Sequence, residues 1–463
     1  MIKLNLYNTI QRRLSIFQPI DTKNVRIYAC GPTVYDFIHI GNARPLVVFD
    51  VLVRLLRKIY PKVTYVRNIT DIDDKINKRA IEKKINISEL TNETIKNFHK
   101  DAHALGNLKP DFEPKATDHI SEMIEMIETL ISNGFAYVSS GNVLFAVEKY
   151  NNYGALSGRS LDEMISGSRV EVAEYKKNPG DFILWKPSSE KLPGWDSPWG
   201  RGRPGWHIEC SAMSKKYLGT QFDIHAGGLD LIFPHHENEI AQSCCANKSD
   251  IMANYWLHNG YVTSDGEKMS KSLGNFTTIN NLLLNFRGEA IRYALMQAQY
   301  RAPLSFSKKS LEEATKSLSR LYRVVEGFEV NDGQDTQIID NLCDDLNSPK
   351  ALARLHYLAD EANKGSKECA QKLKNSSNIL GILCNSTDEW FKFGEINSNE
   401  AIENSTMTEK EIDELIIKRK IAKENKEYEK ADQIREQLLE KNIQLEDKPD
   451  RTVWRRLQTK MNL

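Results

Sequence analysis

Three stretches of this sequence hold reactive side chains in suggestive arrangements. The first, Cys30-Gly-Pro-Thr-Val-Tyr-Asp-Phe-Ile-His-Ile-Gly-Asn42, joins a short β-branched run, Val25 to Ala29, to a segment from Pro45 to Ile59 whose apolar residues recur at helical spacing. Strand-to-helix junctions bind phosphate. The helix N-terminus offers unpaired N–H groups, Gly41 lets a phosphate or ribose approach the backbone, and His39 adds a donor to a charged oxygen. A loop histidine beside a tight turn is the structural alternative. The second stretch, Lys268-Met-Ser-Lys-Ser272, combines Lys268 and Lys271 with the small residues Ser270, Ser272 and Gly274, as suits a loop that closes on phosphates. Its alternative is a Lys/Ser-rich surface turn. The third runs from Gly205 to Gly260 and holds five of the ten histidines. Pro234 reads there as the first position of a helix running through Ala246, so His235 and Glu239, at i and i+4, share one face. That interval suits a metal, and also an ordinary surface pair. Cys244 and Cys245 lie on the same helix, cannot both face one site, and read as core.

These groups need a sheet to gather them. Val25 to Ala29, the helix from Pro45 and the strand-like Lys62 to Thr70 make a βαβ opening. Asp71, Asp73 and Asp74 precede a helical run, Lys75 to Lys84, and read as caps rather than as a divalent-metal cluster. From His119 to Pro204 the pattern changes to one helix, Ile120 to Asn133, and then short segments rich in Gly, Ser and Pro: a second module inserted into the α/β unit. Phe222 to Ala226 reads as a buried strand and Gly227-Gly228 as a turn. After Gly274 the chain is helical, and from Leu311 to Leu383 apolar residues recur every three and four positions, the pattern of a bundle. Ile396 to Thr408 reads as a linker, Glu409 to Lys441 as two charged amphipathic helices, and Ile443 to Arg456 as a hairpin. The expected fold is α/β, with a Rossmann-like parallel sheet built from 1–118 and 205–265 around an insertion at 119–204. The loop region 266–308, a bundle at 309–395 and a linker with a small terminal domain at 396–463 follow.

Bulk properties bound the function. A chain of 463 residues exceeds one core and suits about three domains. Lys plus Arg and Asp plus Glu both number 63, so nucleic-acid contact must rely on local patches rather than net charge. Seven cysteines without regular spacing argue against a disulfide framework and for a reducing compartment. With neither a signal-peptide pattern nor a stretch of transmembrane length, a soluble cytoplasmic protein is expected, with no membrane association.

His39-Ile-Gly-Asn42 resembles the His-Ile-Gly-His signature of class I aminoacyl-tRNA synthetases, and Lys268 to Ser272 matches their second signature letter for letter. Within the class, Cys30-Gly-Pro-Thr-Val-Tyr-Asp, Asn68-Ile-Thr-Asp-Ile-Asp-Asp-Lys, Trp206-His-Ile-Glu-Cys210 and Phe233-Pro-His-His-Glu-Asn-Glu239 resemble the cysteinyl-tRNA synthetase family over nearly the whole chain. The resemblance implies attack of the cysteine carboxylate on the α-phosphate of ATP, giving cysteinyl-adenylate, and transfer to the terminal ribose of tRNA(Cys). It implies catalytic roles for His39, Lys268 and Lys271. Gly31, Thr33, Gly41, Asn42, Gly228 and Asp230 would join His39 and Lys271 around ATP with Mg²⁺, while Thr70, Trp206 and His225 would bound the cysteine pocket. Such displacements need charge neutralised more than protons moved. Asn42 departs from the class signature by replacing a second histidine, which puts the weight on His39.

The resemblance further implies one zinc per chain on Cys30, Cys210, His235 and Glu239. Shape alone separates cysteine from serine by only about 1–3 kcal/mol. Zinc does better, because a thiol ionises on it and binds at about 2.3 Å while an alcohol is a poor ligand. Four protein ligands already complete a tetrahedron, so substrate must make the ion five-coordinate or displace a ligand such as Glu239. The insertion is expected to face the acceptor end of tRNA, with Lys176, Lys177, Lys186 and Arg201 as backbone contacts or as plain solvated cations. The C-terminal domain is expected to read the anticodon, Trp454 offering a stacking plane and Arg455 and Arg456 phosphate donors. Arg451 stands where the family commonly has Gly. A monomer is expected. Two alternatives remain: a cysteine ligase of similar fold with an amino-sugar acceptor, and a non-catalytic RNA-binding relative.

Overall fold

Four parallel strands form the central sheet, in the spatial order Ala253–Asn259, Phe222–Gly228, Val25–Ala29 and Val63–Arg67. The computed structural model describes residues 3–159, 173–264, 267–268, 277–392, 407–441, 443–447 and 452–456. Val, Ile and aromatic residues dominate these strands because both faces are covered, and every residue of Val63–Arg67 is buried. Helix Ile40–Ile59 makes the crossover from Val25–Ala29 to Val63–Arg67; the chain later returns to the other side of Val25–Ala29, pairing Ile27 with Ile224. The order therefore reverses between Val25–Ala29 and Phe222–Gly228, and the crevice at the carboxyl ends of those two strands is where open α/β sheets take ligands.

The insertion is a four-stranded antiparallel sheet, Ala136–Ser139, Asn142–Phe145, Phe182–Pro187 and Gly202–Pro204. Among the described residues it has no separate core. Phe145 and Trp185 belong to one cluster with Met123 of helix Ile120–Ser132, Met213 of helix Trp206–Leu218 and Ala241 of helix Glu237–Asn247. Cys244 and Cys245 lie in that cluster, as expected. Helices Lys308–Val324, Thr336–Cys343, Ser348–Asn363 and Lys367–Leu380 form the bundle, and their apolar residues share a second cluster with helix Ile40–Ile59.

Two polar hubs lock these parts together. Asp50 of helix Ile40–Ile59 pairs with Arg292 at 2.5 Å and Arg54 at 2.7 Å, while Arg292 also donates to the Leu380 carbonyl at 2.6 Å. At the other hub Asp345 accepts from Arg301 at 2.8 Å and from the Tyr7 amide at 2.8 Å, and its own amide donates to the Asn5 carbonyl at 3.0 Å. The amino-terminal hairpin, Asn5–Asn8 with Arg13–Ile16, was not anticipated from the sequence.

In the C-terminal segment, helices Glu409–Glu424 and Tyr428–Glu440 pack against the antiparallel pair Ile443–Asp447 and Thr452–Arg456. Trp454 corrects the reading of its side chain. The ring is 4% exposed among Ile412, Ile434, Leu438 and Leu445, and its Nε1 donates to Asp413 at 3.1 Å. A ring buried this way offers no plane to a base, because a domain this small needs its one tryptophan for its core. The side chains of Arg455 and Arg456 lie outside the described residues.

Candidate functional site

The cleft at the switch point has a volume of about 320 Å³. Its wall gathers Cys30, Gly31, Thr33, His39, Gly41, Asn42, Trp206, Gly228 and Asp230, positions spread over 200 residues of sequence, with Tyr261 opposite. Gly31 is required by the close passage of the Asn68 backbone, since a Cβ there would lie 1.6 Å from the Asn68 carbonyl oxygen.

His39 is the N-cap of helix Ile40–Ile59, which begins five residues before Pro45, where the pattern had suggested. The Gly41 amide donates to His39 Nδ1 at 3.1 Å, and the His39 amide donates to Asn42 Oδ1 at 3.3 Å, closing a capping box. With Nδ1 accepting, the neutral ring carries its proton on Nε2. Gly41 lets the ring fold back: a Cβ there would meet His39 Cε1 at 2.9 Å. Asn42, the departure from the class signature, thus serves the turn itself. Lys268 lies in the short strand Glu267–Lys268, paired with Val262–Ser264. The side chain of Lys268, and Lys271 entirely, lie outside the described residues.

Below the cleft lies a buried polar chamber. Cys30 Sγ is 3.7 Å from Cys210 Sγ and 3.6 Å from Glu239 Oε1, and His235 Nε2 is 3.0 Å from the same oxygen. The sulfurs are too far apart for a disulfide, and the cysteines are free. Helix Glu237–Asn247 is preceded by a π-helical turn, Ile232–His236, rather than starting at Pro234, yet His235 and Glu239 still meet. Two overlapping groups have ligand atoms within 4.8 Å of one another: Cys30, Cys210, His235 and Glu239, and Cys30, His225, His236 and Glu239. Both suit a metal ion.

Around these atoms runs a second layer of imidazoles. His225 Nε2 meets Glu239 Oε2 at 2.8 Å, His207 Nδ1 meets His235 Nδ1 at 2.9 Å, and His236 Nε2 lies 3.3 Å from Cys30 Sγ. His236 Nδ1 continues to His258 at 2.8 Å, and His258 to the Thr9 hydroxyl at 2.8 Å. His225 is fully buried and stacked on Trp256, so it stands behind Glu239 rather than on the cleft wall where a substrate contact was expected. Thr70 is likewise buried, its hydroxyl donating to Glu209 at 2.8 Å, whereas Trp206 lines the cleft and stacks on His235 at 4.1 Å.

Charge in the chamber is crowded. The Cys30 thiol is driven well up by burial and by Cys210, while Cys210 falls to about 6, chiefly through the hydrogen bond from Cys30. Burial opposes ionisation of Glu239, yet His225 and His235 hold its carboxyl well below the usual range. Burial also lowers His207, to about 3, with help from His235. Two thiols and a carboxylate sharing one dry volume is the arrangement a divalent cation relieves.

Among the acidic residues read as caps, Asp73 accepts from the Lys75 amide at 2.7 Å. Asp74 instead pairs with Lys186 at 2.6 Å and Arg203 at 2.9 Å, tying the insertion to the cleft rim. Arg201 donates to the carbonyls of Ser188, Ser189 and Leu192 and so holds its own loop. Sequence reasoning missed the outer layer formed by His207, His236, His258 and Glu209, as well as Glu237, which accepts the Gly154 amide at 2.9 Å and the Ser157 amide at 2.8 Å. The density of histidines between Gly205 and Gly260 was the available signal.

Comparisons with known proteins agree with this geometry. The family model "tRNA synthetases class I (C) catalytic domain" matches residues 16–316, and the "DALR domain" model matches residues 337–385. A cysteine–tRNA ligase of Rhodospirillum rubrum is 51% identical over 462 residues, covering 98% of this chain and 99% of its own. One of Gluconobacter oxydans is 52% identical over 455 residues, with 98% of each chain covered. Among solved structures, the Mycobacterium tuberculosis methionyl-tRNA synthetase bound to methionyl-adenylate shares the fold at a TM-score of 0.57 and 14% identity, covering 77% of this chain and 89% of its own.

Proposed function

The chain belongs to the cysteine–tRNA ligases of the class I aminoacyl-tRNA synthetases, and on that premise we propose how its residues divide the work. It is a ligase that joins L-cysteine to tRNA using ATP; the amino-sugar alternative is unsupported, since relatives named for tRNA match it over almost their full length and a DALR domain follows the catalytic domain.

The cleft at the switch point takes ATP with Mg²⁺. Gly31, Thr33, Gly41, Asn42, Gly228 and Asp230 line it; the first amides of helix Ile40–Ile59 are already paired, Ile40 with the Thr277 carbonyl and Gly41 with His39 Nδ1, so the helix offers phosphate the positive end of its dipole rather than free N–H groups. His39, held by its cap with the ring proton on Nε2, donates to the oxygens that gain charge as the cysteine carboxylate attacks the α-phosphate. Lys268 and Lys271 supply cations to the same charge. Pyrophosphate leaves and cysteinyl-adenylate remains for transfer to the tRNA 3′ end.

In the chamber beneath, Cys30, Cys210, His235 and Glu239 would hold one zinc ion. A tetrahedral ion with 2.3 Å bonds sets two sulfurs about 3.8 Å apart, and the 3.7 Å between Cys30 and Cys210 fits. Two thiolates make this set softer than the one using His225 and His236. When bound, zinc favours a thiolate over an alcohol and so selects cysteine over serine. His225 fixes Glu239, His207 fixes His235 and His236 faces Cys30, the outer partners such ligands need. Trp206 bounds the amino-acid pocket.

For the rest, RNA is expected to reach the C-terminal domain through Arg455 and Arg456 rather than by stacking on Trp454. Seven free cysteines suit a reducing cytoplasm, and we take the enzyme to act as a monomer. Among the described residues no helix is long and apolar enough to cross a membrane. The observation that carries the reading is the convergence of His39, Cys30 and the Cys/His/Glu chamber at one switch point. Amino-acid-dependent ATP–pyrophosphate exchange tests it: cysteine should support exchange, serine and methionine should not, and equal exchange with serine would defeat the selection argument.

A further inference from the structure

We propose that Arg44 is a positioning residue that sets the separation between the two halves of the ATP site, His39 on one side and the strand leading to Lys268 on the other. Arg44 is fully buried, five positions after His39 on the same helix, and so touches no substrate. Its guanidinium reaches across to the facing segment, Nη1 donating to the Tyr261 carbonyl at 2.8 Å and Nη2 to the Gln299 carbonyl at 3.3 Å. Tyr261 lines the cleft and immediately precedes Val262–Ser264, the strand that pairs with Glu267–Lys268.

The corner that Arg44 grips is otherwise rigid. The Tyr261 carbonyl also accepts the Leu304 amide at 2.9 Å, and the Gly260 amide donates to Tyr300 at 2.8 Å. A Cβ at Gly260 would lie 2.5 Å from the Arg301 carbonyl oxygen, so the chain turns there against packed backbone. The Gln299 side chain is itself held by Asp345 at 3.0 Å. Arg44 therefore joins the rod that carries His39 to a corner that cannot drift. Its partners here are carbonyl dipoles, and burial lowers its pKa to about 10. Leucine or methionine would fill the same space without burying a charge, so the value of the guanidinium lies in its planar fork, which fixes both distance and angle.

This inference rests on the reading of the cleft as the ATP site. Its test is ATP–pyrophosphate exchange with the full-length, metal-loaded chain carrying Arg44→Ala or Arg44→Lys. A displacement of about 1 Å between catalytic groups can cost on the order of a hundredfold in rate. Arg44→Ala should therefore lower exchange by up to that factor and raise the ATP KM, with zinc content and cysteine KM unchanged. Added ethylguanidine should restore part of the loss. Arg44→Lys keeps charge without the fork and should fall between; should the alanine variant be insoluble, it alone must show a raised ATP KM at unaltered cysteine KM. Unchanged ATP parameters, or matched losses for ATP and cysteine without rescue, would overturn the proposal. No cysteine-dependent exchange in the unaltered chain would instead overturn the ATP-site reading beneath it.

Discussion

His39 and Thr278 face each other as an antiparallel bridge: the Ile40 amide donates to the Thr277 carbonyl at 3.0 Å and the Ile279 amide to the Ile38 carbonyl at 2.9 Å. Thr277 follows the second signature, while Lys268 at its start is paired with Val262–Ser264 beside Tyr261. Both ends of that stretch are therefore anchored at the cleft that His39 caps.

His39 is both a helix cap and the proposed donor, and the two roles separate on substitution. Asn is among the best N-caps, so His39→Asn should keep the turn while losing the imidazole. Pyrophosphate exchange should fall by roughly 10²–10³ with cysteine affinity retained. Exchange within tenfold of the unaltered enzyme would remove His39 from the chemistry.

Zinc occupancy distinguishes the two overlapping ligand groups. Elemental analysis should find one zinc per chain, lost in Cys210→Ser. His236→Asn, which alters only the outer layer in our assignment, should keep zinc but bind it about 10–100-fold more weakly. Full zinc in Cys210→Ser together with none in His236→Asn would shift the assignment to Cys30, His225, His236 and Glu239.

Asp101 predicts a pH effect on stability. Its carboxyl is 1% exposed, neither oxygen has a hydrogen-bond partner among the described residues, and burial raises its pKa from 3.8 to about 6. A carboxyl with a raised folded pKa binds more protons folded than unfolded, so stability is lost as pH climbs from about 4 to 6, by up to about 3 kcal/mol. Asp101→Asn should thus melt higher than the unaltered chain at pH 7.5, relative to their difference at pH 4.5. Parallel melting curves at both pH values would refute this.

Trp454→Ala should act without RNA present. Truncating a buried tryptophan typically costs about 3–5 kcal/mol, enough to open a domain with so small a core. Limited proteolysis of the free protein should cut the segment after Thr408 faster in the variant, while cysteine-dependent pyrophosphate exchange persists. Unchanged proteolysis with weakened tRNA charging would point back to a direct contact.

Local patterns in the sequence were enough to locate the strand Val25–Ala29, the helix that follows it, the i, i+4 approach of His235 to Glu239, and the terminal hairpin. What they hid was mutual burial. His207, His236 and His258 are unremarkable as letters, and only the folded sheet stacks them behind the ligand atoms. Nor does anything local tell Trp454 whether it packs or projects, because that depends on Ile412, Ile434 and Leu438 arriving from two separate helices. The insertion looked like a separate module by composition, yet Phe145 and Trp185 contribute to the same core as Met213 and Ala241.

The clasp between Asp345 and the amino-terminal strand sets a timetable. Tyr7 and Asp345 are 338 positions apart, so the first strand leaves the ribosome long before the carboxylate that accepts its amide exists. At about 5–20 residues per second the wait is on the order of tens of seconds. Through that interval the outer edge of Asn5–Asn8 has unmatched backbone groups, the kind of edge that recruits other chains. Chaperone demand during synthesis, rather than stability once made, is where a fault in this clasp would surface first.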